Sequence, residues 1–177
     1  MDNKKKIILA RIVSHLMCDG CVTIRYLRYN NQNKTLINNF KKYFIEIFPL
    51  THFIEGVNNS ETFFVQVQNK NILNLLFSIV QDFRSQYLRF PKIFDSQETK
   101  KEFISALFDD EGCVGLRLFE KTNEIKRNLE VASKSKDFLE DIKYILEKDF
   151  KIKCNKLISF KRNFNTSKIV FCVNSLF

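Results

Sequence analysis

The residues with the clearest chemical potential are three consecutive acids at positions 109–111. They lie in FISALFDDEGCVG, residues 103–115, where an apolar helical run ends in Asp109, Asp110 and Glu111. The helix dipole makes negative charge unfavourable at the C-terminal end of a helix. Acids in such a place commonly hold a cation, so this stretch is a candidate metal site.

A second stretch of the same kind lies 92 residues earlier in the chain. It reads ILARIVSHLMCDGCVTI, again an apolar helical run followed by an acid, Gly, Cys and Val. Residues 19–22, DGCV, match residues 111–114, EGCV. A repeat at this spacing predicts two copies of one structural unit.

The elements that would position the two acids also occur twice. The first half predicts, in order, a helix, a strand or short hairpin, a helix ended by Pro49, a hairpin over 51–68 and an apolar helix over 71–83. The second half repeats this order from residue 95, with a helix over 134–150 and a hairpin that turns at 163–166. The chain then ends where the matching last helix would begin.

Composition limits the class of protein. With 177 residues, 45% of them apolar, the chain can build one compact domain or two small halves that share a core. It has no apolar run near the ~18 residues of a membrane span and no signal-peptide cleavage site. We therefore expect an intracellular protein that is not secreted, in the cytoplasm, the nucleoid or an organelle matrix. Five cysteines with one C-x-x-C pair do not complete a zinc site.

Positive charge is in excess and is concentrated in the first half. Lys and Arg exceed Asp and Glu by nine, with 13 bases against 6 acids in residues 1–92 and 16 against 14 in residues 93–177. A surface with this excess attracts polyanions. Nucleic acid is therefore the expected partner, and no membrane association is expected.

Two nine-residue stretches carry a resemblance to a known family. IVSHLMCDG, residues 12–20, and ISALFDDEG, residues 104–112, resemble two copies of the LAGLIDADG motif, spaced as in single-chain, archaeal-type homing endonucleases. The resemblance implies an α+β fold of two pseudo-twofold-related αββαββα halves with saddle-shaped antiparallel sheets. Residues 1–92 would form the first half and residues 93–177 the second, whose last helix is missing from the pattern.

The resemblance also implies where the acids meet. In the family the two motif helices pack side by side through small residues, here Ala10, Ser14, Cys18 and Ala106. That packing would bring Asp19 and Glu111 together as catalytic ligands of two or more divalent cations. Mg²⁺ is the expected metal, because it suits an all-oxygen site that includes substrate phosphates.

Neighbouring motif residues receive structural interpretations. Asp109 is expected to be an interhelix or capping residue, and His15 a packed helix residue. Asp110 is bulkier than the residue usual at its place. In the family a basic residue often assists catalysis, and Lys70, at the end of the last strand of the first half, is the candidate for that role.

Outward residues of the strands would read base edges in the DNA major groove. The candidates are Arg25, Arg28, Asn31 and Gln32 in the first half and Arg117, Lys126, Arg127, Ser133 and Lys161 in the second. For each residue alone, a solvated charge or polar group is the competing interpretation.

The sequence leaves three functions open. The favoured one is a monomeric, intron-encoded endonuclease that makes a metal-dependent double-strand break in a long, asymmetric DNA target. One alternative is an RNA maturase that assists splicing and binds its host intron RNA. The other is a non-catalytic DNA-binding protein of the same fold, which the presence of both Asp19 and Glu111 disfavours.

Overall fold

The structure is a computed structural model that describes residues 2–119, 124–162 and 166–174, with side chains described outside 116–128 and 159–174. In these residues the helices and strands follow the order αββαββα and then αββαββ. The first series is α1 (Asn3–Cys18), β1 (Gly20–Val22), β2 (Leu27–Asn31), α2 (Lys34–Ile47), β3 (Ile54–Val57), β4 (Phe63–Val67) and α3 (Lys70–Ile79). The second is α4 (Gln97–Glu111), β5 (Gly112–Phe119), β6 (Glu124–Ser133), α5 (Lys136–Lys148), β7 (Ile158–Arg162) and β8 (Thr166–Asn174).

The chain divides into two compact units. The first contains Met1–Phe83 and Pro91–Asp110, and the second contains Arg84–Phe90 and Glu111–Phe177. Helix α4 therefore belongs to the first unit up to Asp110. The division of the chain into functional halves at residue 92 stays a prediction.

The first unit holds a four-stranded antiparallel sheet in the order β1-β2-β4-β3. Strand residues alternate between its two faces. Leu27, Tyr29, Val65 and Val67 are buried on the face that α1 and α2 cover. The intervening residues, such as Arg28 and Gln66, which pair across the two central strands, lie on the opposite face.

Helix α1 is buried along most of its length, because its apolar residues have neighbours on several sides. Leu9, Ile12, Val13 and Leu16 are almost fully buried. Asp2 caps the helix, since its side chain accepts a hydrogen bond from the Lys5 backbone N–H at 2.8 Å.

The second unit holds the corresponding sheet, antiparallel in the order β5-β6-β8-β7. Helix α5 buries Phe138, Leu139 and Ile142 in this unit. Its N-cap, Ser135, also donates from its hydroxyl to the Leu88 carbonyl at 2.8 Å. This bond ties the 84–90 segment to the start of α5.

The predicted α+β fold and its repeated order of elements are confirmed, with differences in detail. Helix α3 ends at Ile79, four residues before the predicted end at 83. The predicted turn at 163–166 lies largely outside the described residues. The chain beyond Asn174, where the sequence pattern lacks the last helix, lies outside them too. No helix in the described part of the chain is long and apolar enough to cross a membrane.

Candidate carboxylate site

Asp19 is the C-cap of α1, and the residue after it fixes where the chain goes next. Its backbone N–H donates to the His15 carbonyl at 3.2 Å, which closes the last helical turn. A Cβ atom at Gly20 would clash with the backbone of Leu16. Only glycine therefore allows β1 to leave the helix this closely, and the Asp19 side chain is held beside the sheet.

Two asparagines at the end of β2 hold Asp19 in place. The Asn31 side-chain amide donates to Asp19 Oδ2 at 3.0 Å. The backbone and the side-chain amides of Asn30 both donate to the Asp19 carbonyl, each at 3.2 Å. The carboxylate is half-buried, and one of its oxygens has a fixed hydrogen-bond donor.

Side-chain contacts join α1 to α4 in matching order along both helices. Arg11 donates to Glu102 Oε2 at 2.8 Å, to Ser105 Oγ at 3.1 Å and to Asp109 Oδ2 at 3.3 Å. One turn further on, His15 Nδ1 lies 2.8 Å from Asp110 Oδ2. The two helices therefore run side by side in the same direction, and the interhelix role expected for Asp109 is confirmed.

The small residues predicted for this helix contact are mostly buried. Ala10, Ser14 and Ala106 are fully buried, whereas Cys18 is half-buried. Because alanine and serine are small, the two helices can approach closely enough for long polar side chains to link them.

Asp110 is a fully buried carboxylate with polar groups on both oxygens. Its Oδ1 accepts from the Tyr29 hydroxyl at 2.7 Å and from the Asn31 amide at 3.4 Å, and its Oδ2 contacts His15. The Tyr29 ring is stacked on Phe40, with ring centroids 4.7 Å apart. A single amide nitrogen, that of Asn31, thus touches both Asp19 and Asp110.

This arrangement places two carboxylates close together in a partly dehydrated environment. Burial, and then the negative charge of Asp110, raise the pKa of Asp19 from 3.8 to about 6, although the bond from Asn31 opposes this shift. Burial and Asp110 also raise the pKa of the Tyr29 hydroxyl, so Tyr29 stays a hydrogen-bond donor. The site therefore concentrates negative charge at an energetic cost.

The donor set fits a hard cation that is completed by substrate. Among the residues that the structure describes, no group of three or more His, Cys, Asp or Glu side chains is arranged to hold a metal ion. Mg²⁺ commonly uses one or two carboxylates together with phosphate oxygens. Asp19 is half-exposed and suits this role, whereas the buried Asp110 already accepts hydrogen bonds on both oxygens.

The structure places the other predicted catalytic residues as follows. Glu111 is the last residue of α4, is half-buried and directly follows Asp110; its role as a metal ligand stays a prediction. Lys70 is exposed and is the first residue of α3. Lys70 comes three residues after Val67, which ends β4 and pairs with Leu27. Asn31, which contacts Asp19, pairs with Phe63 at the other end of β4.

The strand register therefore separates Lys70 from Asp19. The four residue steps from Phe63 to Val67 span about 13 Å of extended strand. This separation does not favour the catalytic role predicted for Lys70.

The predicted DNA contacts of the first half occupy different positions. Arg25 is exposed in the turn between β1 and β2, and Gln32 is exposed just after β2. Arg28 lies in the middle of β2, on the face opposite to the helices. Asn31 lies instead on the helix-covered face, in the carboxylate site.

The predicted DNA contacts of the second half lie on strands. Arg117 is in β5 and pairs with Lys126 of β6, Arg127 is the next residue of β6, and Lys161 is in β7. Their side chains lie outside the described residues. Ser133 ends β6, and its hydroxyl accepts a hydrogen bond from the Ser135 backbone N–H at 3.2 Å.

The sequence-based prediction missed the buried part of this site. Tyr29 and the pairing of His15 with Asp110 were not anticipated. The available signal was the coincidence of a histidine in one motif helix with an extra acid in the other, since buried acids require partners.

Comparison with known proteins identifies the class. Residues 98–174 match the model of the LAGLIDADG-like domain. At the sequence level, no curated protein matches the chain. Among solved structures, mesophilic variants of the homing endonuclease I-DmoI share 13% identity with this chain at a TM-score of 0.69, over 97% of this chain and 90% of theirs.

Two further structures show how widely the fold is shared. The homing endonuclease I-WcaI, bound to its DNA recognition sequence, has 18% identity and a TM-score of 0.62, over 96% of this chain and 76% of its own. The N-terminal LAGLIDADG domain of WhiA has 8% identity and a TM-score of 0.63, over 94% and 75%. Complexes of I-DmoI with DNA and Mn, and with DNA and Ca, also match.

These findings establish the fold. The chain has the LAGLIDADG fold over nearly its whole length, and residues 98–174 match the model of the LAGLIDADG-like domain. The resemblance indicated by the two motifs is confirmed.

Proposed function

We propose that the protein is a site-specific endonuclease that cuts both strands of a long, asymmetric DNA target with the help of divalent cations. We further propose that it acts as a monomer and that its gene lies in an intron. Asp19 and Glu111 would hold the cations, with Mg²⁺ as the natural metal.

The observation that carries this proposal is the pair of carboxylates, Asp19 and Asp110, linked by Asn31. A half-buried acid whose pKa is raised to about 6 by burial and by a second acid destabilises the folded protein at neutral pH. Perturbed carboxylates of this kind cluster at functional sites. A cation beside Asp19 would offset the repulsion, which explains why such a costly arrangement is kept at a helix end.

The residues around Asp19 in the first unit have different proposed roles. Asn31 orients Asp19 through its Oδ2 atom, and Gly20 sets the closeness of helix and strand. Bound divalent cations would supply an activated water and stabilise the leaving oxygen. Asp110 would add negative charge behind Asp19 without ligating metal, since both of its oxygens have partners.

DNA is the proposed substrate because charge and shape both suit it. The first 92 residues carry 13 bases against 6 acids. Arg25, Arg28 and Lys34 lie in or beside the strands of the first sheet, and β-ribbons fit the major groove of DNA. The I-WcaI structure, which shares the fold, was determined on its DNA recognition sequence.

A second candidate is a DNA-binding protein of the same fold that does not cut. The similarity to the LAGLIDADG domain of WhiA favours keeping this candidate, because the fold is then shared beyond the homing endonucleases. It differs from the first candidate in one respect: loss of the Asp19 charge would leave its function intact.

Cleavage of a selected target tests the proposal. A binding site is first selected from a random pool of DNA duplexes, and a plasmid that carries it is incubated with protein and Mg²⁺. We expect a double-strand break with the wild-type protein, and no break with Asp19→Asn or Glu111→Gln. Ca²⁺ should support binding but little cutting, because its larger radius and looser coordination misplace the attacking water.

Two controls make the result interpretable. Both variants must bind the selected site, since phosphate contacts by Lys and Arg supply most of the affinity, and must keep a cooperative melting transition. Full cutting by either variant would exclude the proposed mechanism. A wild-type protein that binds the site and leaves it intact with Mg²⁺ and Mn²⁺ would establish the second candidate.

A further inference from the structure

Arg28 is held in a fixed orientation on the face of the first sheet that α1 and α2 do not cover, called the open face below. Its Nε and Nη2 atoms both donate to Gln66 Oε1, at 3.0 and 2.6 Å. Its guanidinium carbon lies 4.5 Å from the ring centroid of Phe64 and 5.5 Å from that of Tyr26. An arginine that is anchored on one edge and stacked on a ring loses little freedom when it binds a ligand.

The support beneath Arg28 depends on a glycine. Gly56 of β3 pairs with Phe64 of β4, and a Cβ atom at Gly56 would lie 2.7 Å from two atoms of the Phe64 ring. The absence of a side chain at Gly56 therefore lets the ring lie across the sheet. Phe64 pairs with Asn30 on β2, and the guanidinium of Arg28, a diagonal neighbour on the same face, lies over its ring, so residues of three strands place one guanidinium.

The anchoring leaves a defined set of donors for a ligand. A guanidinium has five N–H groups, and Gln66 occupies one on Nε and one on Nη2. Two N–H groups on Nη1 and one on Nη2 remain, and one from each nitrogen points outward, so that these two together form the end fork of the guanidinium. Such a fork matches the paired acceptors O6 and N7 of guanine, whereas adenine presents one acceptor and one donor.

The position of Arg28 within the sheet favours a base over a phosphate. Arg28 and Gln66 are paired on β2 and β4, the two central strands of the sheet. Because the major groove has room for a two-stranded β-ribbon, the central pair β2 and β4 is the part of this sheet that would reach base edges.

We propose that Arg28 reads a guanine in the major groove, with Gln66 and Phe64 as positioning residues. This inference rests on the proposed function, because it requires that the open face of the first sheet binds DNA. It assigns one base of the recognition site to one residue of the chain.

Site selection with matched variants tests this assignment. Wild type, Arg28→Lys, Gln66→Leu and Arg25→Ala are each used to select sites from a random duplex pool, and their affinities are measured at several salt concentrations. Arg28→Lys keeps the charge but loses the fork. We expect it to lose roughly 5- to 150-fold of the preference for guanine at one position, with little change in the salt dependence.

The other two variants separate positioning from charge. Gln66→Leu should weaken the same guanine preference and leave the salt dependence unchanged. Arg25→Ala, at the exposed turn, should weaken binding to all sequences alike and reduce the salt dependence. Melting curves confirm that each variant is folded.

The outcomes are distinguishable. A specific site whose guanine preference survives in Arg28→Lys would overturn the inference and leave the proposed function standing. An equal loss of affinity for all sequences would overturn it too, since it would show that Arg28 contacts a phosphate. A wild-type protein that selects no sequence would overturn both the inference and the proposed site-specific function.

Discussion

Replacement of Asp19 by asparagine should stabilise the metal-free protein at neutral and alkaline pH. Asparagine has nearly the size of aspartate and can still accept the hydrogen bond from Asn31, so the change removes charge and little else. The folded protein keeps the Asp19 proton up to a pKa of about 6, against 3.8 for an unperturbed group. The folded state therefore binds more protons than the unfolded state between these values, and stability falls as pH rises through them.

The size of the effect follows from the pKa shift and from exposure. A shift of this size corresponds to at most about 3 kcal/mol. Because Asp19 is only half-buried, solvent screening reduces this to about 1–2 kcal/mol. For a chain of this length the melting temperature of Asp19→Asn should exceed that of the wild type by roughly 2–8 °C at pH 8.

Thermal melts of both proteins in EDTA, from pH 4 to pH 8, measure this difference. The two melting temperatures should approach each other toward pH 4, close to the pKa of 3.8 for an unperturbed group, and diverge as pH rises toward and past the folded-state pKa of about 6. Groups remote from Asp19 titrate alike in both proteins, so the difference reports on this carboxylate and on the groups coupled to it. A variant that is less stable than the wild type at pH 8, or a difference that does not vary with pH, would refute the reasoning.

Four further substitutions probe the contact between α1 and α4, the start of β1 and the proposed catalytic residues. Asp110→Ala should destabilise the protein by about 2–5 kcal/mol, because Tyr29 and His15 lose a buried acceptor. Asp109→Ala should cost only about 0–1 kcal/mol, because Asp109 is a more exposed partner of Arg11. Denaturant titrations that rank the two variants in the opposite order would contradict this. Gly20→Ala should cost about 1–3 kcal/mol by the same measurement, because its Cβ meets the Leu16 backbone, and an unchanged midpoint would show that β1 can shift away. Lys70→Ala should cut the selected plasmid at the wild-type rate, because Lys70 lies beyond the far end of β4; a loss of cutting with intact binding would restore its predicted catalytic role.

The repeated order of elements could be predicted because it depends on local patterns. Two apolar helical runs that end in an acid and glycine, each followed by strands, were sufficient to indicate the fold. Boundaries were less certain. The alternation after Gly20 predicted a strand or hairpin, and the structure shows a turn in which Thr23 Oγ1 accepts from the backbone N–H groups of Arg25 and Tyr26. This turn leaves Ile24 84% exposed, which alternation alone would not indicate.

The buried face of α2 shows how tertiary packing decides what periodicity leaves open. Leu36, Phe40, Phe44 and Ile47 stand at helical spacing, but the residues that the structure buries are Ile37, Phe40 and Phe44. Both sets fit a helical period, and the two differ by a small rotation of the helix. Phe40 and Phe44 belong to both sets, and the packing of the helix on the sheet, where Phe40 stacks on Tyr29 of β2, buries Ile37 as the third residue.

The candidate site divides in the same way. Asp19 could be found from the motif, because its place at a helix end is a local property. The role of Asn31 as a partner of Asp19, and the burial of Asp110 against His15 and Tyr29, depend on contacts across 12 to 95 positions of the chain. Such contacts have no local signal in one sequence.

Cation binding by the protein–DNA complex tests the central claim most directly, namely that Asp19 holds a metal beside the DNA. Binding of Mn²⁺ to the complex with the selected duplex can be measured by electron paramagnetic resonance for the wild type and for Asp19→Asn. We expect Asp19→Asn to bind the duplex normally and to lose at least about tenfold in Mn²⁺ affinity, as expected when a metal site is disrupted. Equal Mn²⁺ affinity in the two complexes would contradict the assignment of Asp19 as a metal ligand.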